Sequence, residues 1–209
     1  MYSWFSSIAD TLSVWTTVRA AGLTSYMLLF AAIFAGLLQG EPWAKGARRA
    51  QLNLIHQWTG WFGMLFGLVH GLVLVFDQYV GYSFFEIVIP FASRHEPFWT
   101  GLGTLAFYLM LALILSSDMM KSIGKKTWRI IHFMALPTFI MALLHAAMIG
   151  SDSSTPAMKL MYTATGALVI GMVIRRIYLA TRKREGRRAA QPEVVYPISR
   201  PDKRYSSFR

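Results

Sequence analysis

Five histidines occur in this chain, and four of them form two pairs, His56/His70 and His132/His145, at spacings of 14 and 13 positions. Imidazole binds metals through a neutral ring nitrogen and titrates near neutrality, so paired histidines point to metal or proton chemistry. Both pairs lie in apolar sequence. The stretch from Leu54 to Phe76 reads LIHQWTGWFGMLFGLVHGLVLVF and holds no charged residue. An unpartnered imidazole is costly in hydrocarbon, so each of the four needs a partner or a ligand. No Ser/His/Asp set, paired-carboxylate site or zinc-ligand spacing accompanies them, which leaves hydrolytic catalysis without support. The absence of cysteine excludes disulfides, thiolate-bound iron–sulfur and zinc sites, and covalent c-type haem.

The elements that carry these residues are membrane spans. The chain is 55% hydrophobic, and several runs reach the roughly 20 residues needed to cross a bilayer. The sequence predicts an all-α membrane protein, a bundle of five transmembrane helices over about 19–38, 53–76, 98–117, 128–149 and 157–180. Residues 1–18 form an N-terminal interfacial segment, in which 3–17 mix Trp, Phe, Leu and Val with Ser, Thr and Asp, as in a short interfacial helix. No secretory signal peptide is read there, since the first basic residue is Arg19. Residues 19–180 form the transmembrane domain. The connector 81–97 is apolar, interrupted by Pro90 and Pro97, and expected at the membrane surface. The segment 181–209 is basic, holds Pro192, Pro197 and Pro201, and is expected to be a disordered or lipid-bound cytoplasmic tail.

The net charge of +11 follows the membrane rather than a nucleic acid. Lys45, Arg48 and Arg49 follow the first span; Lys121, Lys125, Lys126 and Arg129 lie before or at the start of the fourth; a basic run follows from Arg175. Only Arg19, Arg94 and Lys159 fall on the other side. The positive-inside rule then sets the N-terminus outside and the C-terminus in the cytoplasm, as a multi-pass protein of the plasma membrane. Trp15, Trp43, Trp99 and Trp128 sit near span ends, as interfacial belts require.

In this topology spans two and four run in the same direction. His56 therefore shares a level with His132 near the cytoplasmic face, and His70 with His145 near the outer face, the two levels being about 21 Å apart at 1.5 Å per residue. That geometry suits two stacked metalloporphyrins, each held by one imidazole from each helix. Without cysteine they would be b-type haems. Bis-imidazole ligation favours electron transfer over oxygen binding at iron. On span two, His56, Gly60, Gly63, Gly67 and His70 lie on one stripe, where a flat macrocycle or another helix can approach the backbone. Span four is less regular. Thirteen residues of ideal helix leave His132 and His145 about 140° apart in azimuth, and Pro137 between them permits a kink.

The histidine set resembles the ferric reductase-like transmembrane domain, shared by ferric reductases, NADPH oxidases and the haem-binding membrane subunit of the bacterial methionine-sulfoxide reductase system. Its two-haem members carry histidines 14 apart on one helix and 13 apart on the next but one, and His56/His70 and His132/His145 match both spacings. The resemblance covers residues 19–180. It implies electron transfer across the membrane, from a cytoplasmic flavin donor to an outer acceptor. The segment VRAAGLTSYMLLF is similar to the oxidase stretch in which an arginine sits beside the outer haem, and Arg19 fills that position. An arginine there can neutralise a haem propionate or attract an anionic acceptor; simple snorkelling is the plainer reading. Two departures are visible: the family's additional first helix is missing unless residues 3–17 replace it, and so are fused flavin and nicotinamide domains. The donor is then a separate flavin reductase, a free or bound flavin, or a membrane quinol, and the acceptor an outer molecule or partner redox protein. In some relatives FMN replaces one haem, and that occupancy stays open.

Arg129 lies three residues before His132 and could meet an inner propionate, or simply anchor the span. Phe62, Phe66, Phe133 and Phe139 fall between the two levels and could separate the porphyrins or pack against lipid. His95, beside Glu96, could bind an acceptor metal; Asp77 and Glu86 are expected to be solvated. Three functions compete: a dihaem transmembrane conduit, either an oxidoreductase or an electron-transfer subunit; a haem-binding membrane anchor fed by quinol or flavin; and a haem-free transporter or assembly factor using intramembrane histidines. Few acidic groups lie inside the spans, which weighs against proton relay.

Overall fold

The computed structural model describes residues 13–77 and 80–189, and all regular structure among them is helical. Eight α-helices follow in order: α1 Val14–Leu38, α2 Gly46–Val73, α3 Phe84–Val88, α4 Pro97–Asp118, α5 Met120–Ile123, α6 Lys125–His132, α7 Ala135–Ile149 and α8 Pro156–Ala189. A 3-10 turn, Leu74–Phe76, extends α2. Five stretches are long and apolar enough to cross a membrane: Val14–Leu38, Gly46–Phe76, Pro97–Asp118, Lys125–Ile149 and Pro156–Gly186. These are the five expected spans, making this a multi-pass membrane protein. Residues 1–12, and with them most of the expected interfacial helix, lie outside the described residues.

The chain divides into two compact units, residues 1–176 and 177–209. In the second, residues up to Ala189 are α-helical, where a disordered or lipid-bound tail is expected from Thr181; Arg182 lies over the Tyr178 ring at 5.2 Å. Residues 190–209 lie outside the described residues.

The first span begins at Val14, five residues before its expected start, because Ser13 caps it: its hydroxyl accepts the Thr16 N–H at 3.2 Å. Lipid supplies no hydrophobic drive between helices, so close packing depends on small residues and interhelical hydrogen bonds. The α1/α2 pair shows both. A Cβ on Gly63 would lie 3.4 Å from the Leu28 Cβ and 3.5 Å from the Leu29 nitrogen, and the Ser25 hydroxyl donates to the Gly63 carbonyl at 2.8 Å. Of the two partners open to the glycine stripe, Gly63 therefore meets a helix.

The core of the first unit centres on α1. Tyr26, Leu29 and Ile33 pack with Met110 of α4, Phe139 of α7 and Val169 of α8. Tyr26 stacks on Phe139 with ring centroids 6.0 Å apart, meets Tyr162 edge-on at 5.3 Å, and shares a 2.5 Å hydrogen bond with Thr165. Phe139 is thus a core residue, whereas Phe62, Phe66 and Phe133 are exposed on the bundle surface, where a bilayer would meet them.

The fourth span is interrupted at Phe133–Met134, between α6 and α7. Pro137 has no N–H for the Phe133 carbonyl and its ring crowds that carbonyl, so the helix breaks four residues before the proline. The chain tightens through a 2.9 Å bond from the Met134 N–H to the Ile131 carbonyl, and Thr138 restarts the ladder on Met134 at 2.9 Å. His132 ends one helix and His145 sits on the next, so the 140° azimuth of a continuous helix does not apply.

The connector 81–97 is built on Glu86, which is buried rather than solvated as expected. Its carboxylate accepts the Ser83 N–H and hydroxyl, both at 2.8 Å, and the Arg94 N–H at 3.0 Å; the Ser83 hydroxyl in turn accepts the Glu86 N–H, completing a capping box. The backbone donors of Ser83 and Arg94, then the Ser83 hydroxyl, hold this carboxyl at about 2, against an ordinary 4.5. The folded value lies below the unfolded one, so the stabilisation is complete above about pH 4.5 and lost as pH falls through about 2. Thermal unfolding of detergent-solubilised protein should show Glu86→Gln melting below wild type at neutral pH, with the gap closing between pH 4 and 2. A gap independent of pH would contradict this assignment.

Candidate functional site

The four intramembrane histidines meet as two pairs. His56 of α2 and His132 of α6 have ring centroids 5.9 Å apart with planes at 74°; His70 of α2 and His145 of α7 are 6.2 Å apart at 83°. A metal held between two imidazoles at about 2 Å per metal–nitrogen bond separates the nitrogens by about 4 Å and the ring centroids by about 6 Å. Both pairs have that spacing. Among the described residues no three His, Cys, Asp or Glu side chains converge as a metal site. Two nitrogens alone suit a metal that brings its own equatorial ligands, as a porphyrin does.

The second ring nitrogen decides which one is left to ligate. The Nδ1 of His56 lies 2.7 Å from the Ala32 carbonyl, that of His70 2.9 Å from the Val18 carbonyl, and that of His145 2.9 Å from the Trp99 carbonyl. A carbonyl only accepts, so each Nδ1 carries the proton and each Nε2 keeps its lone pair. His132 differs: its Nδ1 is buried with no acceptor among the described residues. Its ring instead stacks on Trp128, one turn earlier, at 4.9 Å and 26°. Trp128 reads as an interfacial residue by position alone; its place one turn before a histidine was the signal available in the sequence.

A cavity of about 730 Å³ surrounds the His70/His145 pair, within the range of cofactor pockets. Its wall is mostly apolar, with Arg19, Asp77 and Asp152 as its members of fixed charge. Arg19, expected beside a propionate, is engaged with Asp152 of the α7–α8 connector: its Nε donates at 2.8 Å, its second guanidinium nitrogen also reaches the same oxygen, and its guanidinium lies 5.7 Å from the Trp15 ring centre. Arg129 is exposed on α6 and forms no ion pair with the described residues. His95 is not brought to either pair; it meets Tyr82 edge-on at 6.0 Å.

At the other end of the bundle, Glu41 is buried and accepts the Arg175 Nε at 2.9 Å on both oxygens, with a further guanidinium contact at 2.8 Å. This guanidinium holds the Glu41 carboxyl below its ordinary value. In the sequence Arg175 reads only as one charge of a basic run.

Residues 20–143, more than half of the chain, match the family described as ferric reductase like transmembrane component. The chain belongs to that family. No curated protein and no solved structure matches it at a significant level. The family match takes in His56, His70 and His132 of this ferric reductase-like chain and ends two residues before His145. The fourth histidine is therefore placed by its geometry against His70, and Arg19 falls just outside the match.

The Arg19–Asp152 pair is half exposed, so screening keeps it weak. A double-mutant cycle of Arg19→Ala and Asp152→Ala, read by unfolding in detergent, should give a coupling below about 1 kcal/mol. A coupling of several kcal/mol would mean that this ion pair closes the cavity.

Proposed function

We propose that this chain is a transmembrane electron carrier with two b-type haems, one between His56 and His132 and one between His70 and His145. The observation that carries this reading is the double imidazole pairing, with ring centroids 5.9 and 6.2 Å apart. Haem iron cycling between ferric and ferrous states would carry one electron at each level. The protein's part is positional. The carbonyls of Ala32, Val18 and Trp99 hold three rings by their Nδ1–H groups, which fixes the tautomer and raises the basicity of the ligating nitrogen. Each haem would be held by two imidazoles, a pairing that would favour electron passage over small-molecule binding.

The direction follows from charge. Lys45, Arg48, Arg49, Lys121, Lys125, Lys126 and Arg129 lie at the His56/His132 end, so that end faces the cytoplasm and the N-terminus faces out of the plasma membrane. Electrons enter from a separate donor, either a flavin reductase, a flavin or a quinol. They leave at the His70/His145 level to an outer acceptor or partner redox protein. Arg129, exposed one turn from His132, would meet an inner propionate. Arg19 borders the outer cavity, where a propionate would compete with Asp152 for its guanidinium.

Pyridine haemochrome analysis of purified protein should give about two haems per chain, and His70→Ala or His145→Ala about one. One haem with one FMN per chain would replace the dihaem reading by a mixed one. A colourless preparation from cells well supplied with haem would overturn both, and would favour a haem-free transporter. Reduction by a quinol analogue, but not by a flavin reductase, would make the chain a quinol-fed membrane anchor.

A further inference from the structure

Three of the four imidazoles are held by the same local device. Val18, Ala32 and Trp99 lie inside helices, where each carbonyl accepts the N–H four residues on in the regular pattern. Each also accepts a histidine Nδ1–H. The residue four positions on is glycine every time: Gly22, Gly36 and Gly103. On an α-helix the side chain at i+4 stands over residue i on the same face. A Cβ at Gly22 would lie 2.8 Å from the Nδ1 of His70, and one at Gly36 3.3 Å from the Nδ1 of His56. One at Gly103 would lie 2.5 Å from both the Nδ1 and Cε1 of His145.

The register matches as well. Gly22 and Gly36 are 14 apart, as are Val18 and Ala32, and as are His56 and His70. Antiparallel helices α1 and α2 therefore bring one carbonyl–glycine unit to each histidine: Gly22 to His70 and Gly36 to His56. Helix α4 supplies the third unit to His145.

We propose that Gly22, Gly36 and Gly103 are positioning residues for the ligands. Each admits an imidazole edge to a helical carbonyl, and so sets the orientation and basicity of the nitrogen that faces the metal. This rests on the haem reading above. An alanine at any of the three pushes the ring off its carbonyl. The ligand becomes a weaker base, ferric iron loses more than ferrous, and the midpoint potential of that haem rises. The clearances set the order of effect as Gly103, then Gly22, then Gly36.

The test is spectroelectrochemical titration and low-temperature EPR of the full chain as purified with its haem, in nanodiscs. Gly103→Ala and Gly22→Ala should raise the potential and shift the low-spin g-values of the His70/His145 haem, or empty that site, leaving the other haem unchanged. Gly36→Ala should shift only the His56/His132 haem, by a smaller amount. With 3.3 Å to the ring, Gly36→Ala is the variant that retains both haems, so it reports even where Gly103→Ala fails to accumulate. Gly171→Ala, whose Cβ would meet nothing within 4 Å, should change neither. Wild type with two haems and glycine variants indistinguishable from it would overturn this inference alone. Equal shifts in Gly171→Ala would overturn it too, by showing a general helix effect. Wild type that binds no haem would overturn the reading beneath it.

Discussion

An imidazole inside an apolar bundle must have its N–H met, and the first unit is arranged around that requirement. A side-chain acceptor would bring its own desolvation cost into the membrane. A helical carbonyl does not, because it is already inside the bundle and has a second lone pair to give. Using carbonyls, however, requires another helix to approach each histidine closely. Helix α1 contributes no paired histidine, yet it occupies the centre of the core, because it offers Val18 and Ala32 to the two histidines of α2. Close approach in turn calls for small residues, and Gly63 and Ser25 show the same contact used for packing between the two levels.

Charged groups are kept to the ends of the unit, where they fasten connectors. Glu41 ties the α1–α2 turn to α8 through Arg175, Glu86 folds the connector ahead of α4, and Asp152 ties the α7–α8 connector to Arg19. The first two carboxylates are buried, and their partners explain why they stay ionised. Glu86 is met mainly by backbone donors, which costs little side-chain entropy and gives a rigid connector beside the His70/His145 cavity. Tyr82, Phe84 and Ile87 of that connector line the cavity, and Thr104 fastens it by donating to the Ile87 carbonyl at 2.9 Å.

The spans and the histidine pairing were legible in the sequence because both depend on residue type: apolar length sets the span, and imidazole at matched depth sets the pair. The partners of Nδ1 were not, since every residue carries a carbonyl and Val18, Ala32 and Trp99 have side chains unrelated to the role. The readable trace was indirect, the 14-residue spacing of Gly22 and Gly36 that repeats the spacing of His56 and His70. Glu86 was misread as solvated because its donors are mostly backbone groups, placed by the fold of the connector. Arg19 is expected from the sequence beside an outer haem propionate; it lines the cavity, and its carboxylate partner lies 133 positions away.

The 13-residue spacing of the fourth span is the remaining irregularity, and the break at Phe133–Met134 accounts for it. A continuous helix would turn His132 and His145 to different sides, so one of the two could not face α2. Pro137 removes the hydrogen bond that would have joined α6 to α7, and the tightened turn lets each segment present its own histidine. The same break separates the two histidines in kind. His145 lies within α7, beside Trp99 and Gly103, and is held through its Nδ1 like the histidines of α2. His132 ends α6 and is held by stacking on Trp128, its Nδ1 without an acceptor among the described residues. Stacking fixes the plane of the ring but does not make its nitrogen more basic. The two pairs are thus matched in spacing and unequal in how their rings are held; in the proposed conduit that inequality would set the order of the two potentials.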